Sequence, residues 1–195
     1  MPPTSSRPVG SDSAGALLDA TRDIFVSEGI KGLSVRRVAQ QAGCTTMAVY
    51  SRFGGKEGLL GALFDEGFDR LSQAQQAVDA SLPAAARVQN LCRAYRHTAR
   101  QFPHHYALML GQFSGEHHPS PESSAKAMAT LQCLADAVAD SLSPGKNRAE
   151  RAAEIAHRLF AFSHGWVSLE RLGFFGDPAE ADAAFDGGVH ALLTR

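Results

Sequence analysis

The sequence predicts an all-α fold of about nine helices, and three observations carry that expectation. From residue 13 almost to the end, apolar residues recur at three- and four-residue intervals, the spacing that paints one face of a helix. No run of β-branched residues alternates with polar ones, as a half-buried strand would require. Glycine and proline fall between the periodic segments, at Gly29, Gly43, Gly54, Gly55, Pro83, Pro144, Gly173 and Pro178, where they cap helices or start them.

Residues 1–12 (MPPTSSRPVGSD) are rich in Pro, Ser and Gly and read as a disordered tail. The first helix is expected over residues 13–28, with Ala14, Leu17, Leu18, Thr21, Ile24 and Phe25 on one stripe and Gly29 as its C-terminal cap. Ser34 is placed to cap a short second helix whose inner face is Val35, Val38, Ala39 and Ala42, its hydroxyl accepting an orphan N–H. Gly43 turns the chain, and Thr45 caps a third short helix that ends before Gly54 and Gly55. A fourth begins near Lys56 and carries Leu59, Leu60, Leu63, Phe64, Phe68 and Leu71 inward. Five more follow, over residues 83–101, 104–113, 121–142, 147–172 and 178–193, with GEHHPS (115–120) as a flexible connection. Residues 13–57 form one expected domain and 58–195 a second.

The composition is globular, with 44% hydrophobic and 20% charged residues and a formal net charge of -1. No apolar run approaches the roughly 18 residues of a membrane span, and the N-terminus lacks the apolar core of a signal peptide. Three cysteines, Cys44, Cys92 and Cys133, are widely spaced and odd in number, which points to a reducing, cytoplasmic setting rather than a disulfide framework. Charge is unevenly distributed. Between residues 31 and 56 the chain carries Lys31, Arg36, Arg37, Arg52 and Lys56 and no acidic residue. A locally basic segment on a near-neutral chain is the electrostatic footprint of a small DNA-reading module, although a solvated basic face has the same composition.

Residues 34–53 sharpen this. Two short helices joined by a tight glycine-containing turn make a helix-turn-helix. Ala39 is small where the helices must cross closely, Gly43 turns without a Cβ clash, and Val38 and Val49 hold the angle. The second helix is short and offers its N-terminal end, with Thr45, Thr46, Met47 and Tyr50, to a major groove.

The stretch LSVRRVAQQAGCTTMAVYSRFGGKEGLL (33–60) resembles the TetR-family signature. It has a Ser cap, two apolar positions, Ala-Gly and a short recognition helix, then Tyr50, Phe53 and Lys56 at three-residue intervals with Leu60 beyond. The resemblance implies that Thr46 and Met47 contact base edges, the hydroxyl by hydrogen bonding and the apolar chain against a thymine methyl. It implies that Thr45 caps and touches phosphate, that Tyr50 and Ser51 donate to the DNA backbone, and that Ser34, Arg36 and Arg37 bind phosphates from the second helix. Lys56 would bind phosphate with the free N–H groups at the start of the fourth helix. Tyr50 and Met47 stay open between these roles and core packing, and Arg36 and Arg37 between phosphate contact and solvation. Phe53 is core. Cys44 and the Gly54-Gly55 pair depart from the residues usual in the family.

The resemblance also implies a homodimer, because two half-sites roughly 34–36 Å apart demand two-fold symmetry, and it implies that the last two helices form the interface. Ile155, Leu159, Phe162, Trp166 and Leu169 make one stripe there, and Phe185, Gly188, Val189 and Leu192 another; ordinary intrachain core is the competing reading. Residues 160–172 (FAFSHGWVSLERL) resemble the WHG-type C-terminal domain of some TetR-like regulators, with His164 and Gly165 as the recognisable positions. A pocket for a small apolar or aromatic effector is expected among the fourth to eighth helices, drawing on Phe102, His105, Tyr106, Met109, Phe113, Phe160 and His164. Eight histidines show no zinc-ligand spacing, so neither metal nor cofactor is expected. Double-stranded operator DNA and a small effector are the expected partners, and no catalytic activity is expected. The alternatives are a helical-bundle enzyme, which would need the missing Glu-x-x-His motifs or a nucleophile-base pair, and a ligand-independent DNA-binding module.

Overall fold

A computed structural model describes residues 12–110 and 118–194. The described residues form nine helices and no strand: α1 (Asp12–Gly32), α2 (Val35–Gln41), α3 (Thr46–Phe53), α4 (Lys56–Gln76), α5 (Ala84–Gln101), α6 (Pro103–Met109), α7 (Pro121–Ser141), α8 (Arg148–Arg171) and α9 (Pro178–Leu193). The all-α expectation is met. Residues 1–11 of the expected tail, Phe113 and residues 115–117 of the 115–120 connection lie outside the described residues.

Side-chain caps mark the starts of α2, α3, α7 and α9. The Ser34 hydroxyl accepts from the Arg37 N–H at 3.3 Å, and the Thr45 hydroxyl from Ala48 N–H at 3.2 Å. Asp177 accepts from Ala179 and Glu180. Each satisfies a donor that the first helical turn leaves orphaned. Gly29 ends the first helical run as expected: at φ 68°, ψ -165° it kinks the element, and a second short run continues to Gly32. A Cβ on Gly29 would stand 3.3 Å from His104 Nδ1. One boundary differs from the sequence reading. Helix α6 stops at Met109 rather than running to 113.

Two cores organise the molecule. The first joins α1, α2 and α3 to α4 and α6 through Leu17, Phe25, Val38, Val49, Leu60 and Leu63, all fully buried, with Phe53 packed against it. The second lies among α5, α7, α8 and α9, around Val88, Val138, Ala156, Leu159, Phe185 and Val189. Helix α4 borders both halves, and α6 packs against α1, α4 and α5.

The faces assigned to a dimer need correction. Ile155, Leu159, Phe185 and Val189 are 6% exposed or less and belong to the second core of their own chain. Helix α9 has ample cover, because α5 reaches it. Arg93 pairs with Asp186 at 2.6 Å and Arg96 with Asp182 at 2.8 Å, while the Arg96 guanidinium lies 5.0 Å over the Phe185 ring. Gly188 also serves an intrachain approach: a Cβ there would meet Phe162 Cζ at 2.3 Å. Phe162, Trp166 and Leu192 are half-buried against the same core.

Candidate nucleic-acid interface and ligand cavity

Helix α3 is eight residues long and turns only Val49 fully inward. Its other faces point out: Thr46 and Ser51 are exposed, Met47 is 73% exposed and Tyr50 56%. Met47 and Tyr50 are thus surface residues rather than core. The Tyr50 ring rests by Gly55, where an added Cβ would stand 3.1 Å from its edge, so the glycine there leaves room for the ring. The backbone at Gly54 and Gly55 has φ of 71° and 112°, a region glycine enters without strain. Helix α4 then starts at Lys56.

Helix α2 contributes Ser34 at its cap and the exposed Arg36 and Arg37. Arg37 has a structural partner: it pairs with both carboxylate oxygens of Glu28, one at 2.6 Å, and donates to the Gly32 carbonyl at 3.0 Å. The hydrogen bond from Arg37 holds the Glu28 carboxyl below its ordinary range, despite an opposing desolvation effect. Arg37 therefore fixes the turn between α1 and α2, a role its sequence position did not reveal.

The junction between the first three helices and the rest is polar at its centre. Arg22 of α1 donates to Glu66 of α4 at 2.9 Å, and Arg70 joins the same carboxylate at 3.1 Å through Nε. Burial would raise the Glu66 carboxyl, but the hydrogen bonds from Arg70 and Arg22 hold it lower. His105 of α6 brings Nε2 to 3.7 Å from Glu66 Oε1 and is 2% exposed. Burial depresses its pKa to about 4, against the opposing pull of Glu66, so it is neutral at pH 7. The Phe25 ring meets His105 edge-on at 5.1 Å.

The effector residues expected from the sequence separate into two groups. A cavity of about 240 Å³ opens between α4, α5, α7 and α8, and Met109 and Phe160 line it. Phe102, His105, Tyr106 and His164 do not. The first three lie around a void of only about 10 Å³ beside it. Tyr106 hydroxyl is instead bonded to His164 Nδ1 at 2.7 Å, tying α6 to α8, and burial lowers the His164 pKa. The remaining walls come from residues that the sequence pattern did not assign to a pocket, among them Phe64, which it read as core, and Gln75, Cys92, Tyr95, Met128 and Ser163. Most are apolar and indistinguishable in sequence from core. Among the described residues no group of three His, Cys, Asp or Glu side chains converges on a possible metal position, and no helix is long and apolar enough to cross a membrane.

Comparison with known proteins agrees with this arrangement. Residues 17–63 match the family described as bacterial regulatory proteins, tetR family, and residues 88–192 match the tetracyclin repressor-like C-terminal domain. The chain is 26% identical to the HTH-type transcriptional activator FasR of Mycolicibacterium smegmatis, over 93% of this chain and 85% of that protein. A Rhodococcus sp. RHA1 protein of unknown function superposes with a TM-score of 0.76 at 25% identity, covering 97% of this chain and 98% of the other. A TetR variant from Acinetobacter baumannii AYE, in complex with minocycline, shares the fold with a TM-score of 0.66 at 16% identity, over 92% and 93% of the two chains. A filled helix-turn-helix core with its recognition helix turned outward, followed by a helical domain matched along most of its length, makes this chain a member of the TetR family, a DNA-binding transcriptional regulator and not an enzyme.

Proposed function

We propose that the protein represses transcription as a homodimer on a palindromic operator and is released by a small molecule in the α4–α8 cavity. The observation that carries this reading is the outward display of Thr46, Met47 and Tyr50 on a helix short enough to enter a major groove end-on. Thr46 and Met47 read bases; Thr45, Tyr50, Ser51, Ser34, Arg36 and Lys56 meet the phosphate backbone, with Arg37 bracing the turn behind them. Residues 13–57 form the reading domain, and 58–195 the effector and dimer domain.

The dimer face we favour differs from the large-residue stripes. On α8, Ala161 and Leu169 are exposed and Gly165 half-exposed, four residues apart; on α9, Ala183, Gly187 and Ala191 are exposed at the same spacing. A Cβ at Gly165 or Gly187 would meet nothing within 4 Å, so both glycines face open space. Small residues at four-residue spacing let helices from two chains approach closely, and a four-helix bundle follows. The opposite regulatory sign has one observation in its favour, since the relative FasR is named an activator.

Selection of the purified protein on randomised duplex DNA at moderate salt, followed by fluorescence anisotropy, tests the reading. The expected result is a two-fold symmetric site whose binding is lost in Tyr50→Ala. Weak, sequence-blind binding that disappears with salt would refute it. Placing the selected site before a reporter promoter then separates repression from activation.

A further inference from the structure

We propose that the cavity takes an uncharged ligand of about ten non-hydrogen atoms that carries a hydrogen-bonding oxygen at its buried end, a neutral ketone, ester or alcohol rather than a carboxylate. The inference rests on reading this cavity as the effector site.

Size sets the first limit. A cavity of about 150 Å³ holds benzene, so the 240 Å³ here accommodates a molecule with roughly two-thirds more atoms. Charge sets the second. Among the described residues, the cavity walls include no Asp, Glu, Lys, Arg or His. The two weakly acidic groups stay neutral: burial pushes the Cys92 thiol up to about 12 and, with Tyr106 nearby, raises the Tyr95 phenol as well. A carboxylate would lose its hydration and gain no counter-ion, and a charge buried without a partner is strongly disfavoured.

Hydrogen-bonding capacity sets the third. Gln75 donates its amide N–H to the Thr130 carbonyl at 3.0 Å, and the Thr130 hydroxyl donates to Ala127 at 2.7 Å. Those groups satisfy the wall itself. The Tyr95 and Ser163 hydroxyls, by contrast, are buried with no hydrogen-bonding partner. Each has a polar neighbour, Tyr106 for Tyr95 and the Cys92 thiol for Ser163, but neither pair reaches hydrogen-bonding geometry. Native structures rarely leave such groups unsatisfied, and a ligand oxygen is the partner this site lacks. Tyr95 and Ser163 are 9% and 2% exposed and lie on the α5 and α8 walls. Across the cavity on α7, Met128 is 60% exposed and marks the solvent side. The ligand oxygen therefore lies deep, and the hydrocarbon runs outward toward α7.

Calorimetric titration of the full-length protein at pH 8 with 2-nonanone and with nonanoate tests the class. The ketone is expected to bind at least about tenfold tighter than the acid, a difference of about 1.4 kcal/mol. Ser163→Ala and Tyr95→Phe each delete an unpartnered hydroxyl and are expected to fold normally, while weakening the ketone roughly three- to tenfold. Ala127→Leu, which takes up part of the cavity that the ten-atom ketone needs, is expected to abolish its binding. Equal or tighter binding of nonanoate, no ketone binding up to its solubility, ketone affinity untouched by both hydroxyl variants, or full binding in Ala127→Leu would each overturn the proposal. Operator affinity read in the same samples separates the two levels. Ketone binding of the expected pattern with no change in DNA affinity supports the ligand class and refutes the effector role.

Discussion

The two halves of the molecule put their functional groups on opposite sides of their cores. In the first three helices the interior is filled, with Val38, Val49, Leu17 and Phe25 wholly buried, and the chemistry stands outside on α3. In the second half the interior is partly empty, and the groups free to bind something, Tyr95 and Ser163, are inside it. A close-packed module holds side chains in fixed positions for a rigid surface such as a DNA groove. A void among helices can be filled by a ligand, and filling it changes how those helices pack. Helices α4 and α6 touch both regimes. Gly67 of α4 lies so close to Met109 that a Cβ would stand 2.6 Å from its sulfur. Met109 lines the cavity, while His104 and His105, on the same short helix, abut Phe25 of α1.

The largest effect is expected at the outer face proposed for dimerisation. Gly187→Arg places a long charged side chain in space that is open in the single chain and is expected to convert the proposed dimer to monomer. Sedimentation would show this, with helical content unchanged. A dimer that survives the substitution moves the interface elsewhere.

The junction itself is tested by pH. His105 is held neutral with its pKa depressed from 6.5 to about 4. Between those values the unfolded chain binds a proton that the native one does not, so stability falls as pH drops through that window and is fully present above 6.5. A tenfold difference in proton affinity corresponds to about 1.4 kcal/mol, giving on the order of 3 kcal/mol over the window. His105→Leu is expected to flatten the denaturation-derived stability curve between pH 6.5 and 4.5. An unchanged slope there would mean that His105 titrates normally.

Filled and hollow interiors are distinguished by the same substitution made twice. Ala39 is 2% exposed at the α2–α3 crossing, and Ala39→Leu is expected to cost about 1–3 kcal/mol through overpacking. Ala127 lines the cavity, and Ala127→Leu is expected to gain up to about 1 kcal/mol by burying added methyl groups in existing space. Chemical denaturation of both variants reads the sign. Losses of equal size would remove the distinction between the two interiors.

These contrasts also explain what the sequence disclosed. Structure built from local contacts is legible: Ser34 and Thr45 announce caps and Gly43 a turn, whereas spacing left Met47 and Tyr50 open between core and surface until their exposure was known. The helices of the second half were equally legible, and α9 was expected over the residues it occupies. Their faces were not. Phe185 and Val189 suggested an interface because nothing in the linear pattern reveals that Arg93 and Arg96 draw α5 across α9. The sequence reading did not consider the exposed Ala183, Gly187 and Ala191, because it followed the larger side chains. The cavity was the least legible feature. Its walls come from distant helices, each contributing residues that would be ordinary core had the helices met more closely. Gly29 read as a stop and breaks the helix there, but that His104, 75 positions along the chain, packs against it was not visible.

The coupling between a solid reader and a hollow receiver is tested most directly by operator affinity, measured by fluorescence anisotropy with and without saturating 2-nonanone, on the wild type and on Ala127→Leu. The account predicts at least about tenfold weaker DNA binding with ligand in the wild type, a coupling of about 1.4 kcal/mol, and no ligand effect in the filled variant. Ligand effects of equal size in both proteins, or none in either, would contradict it.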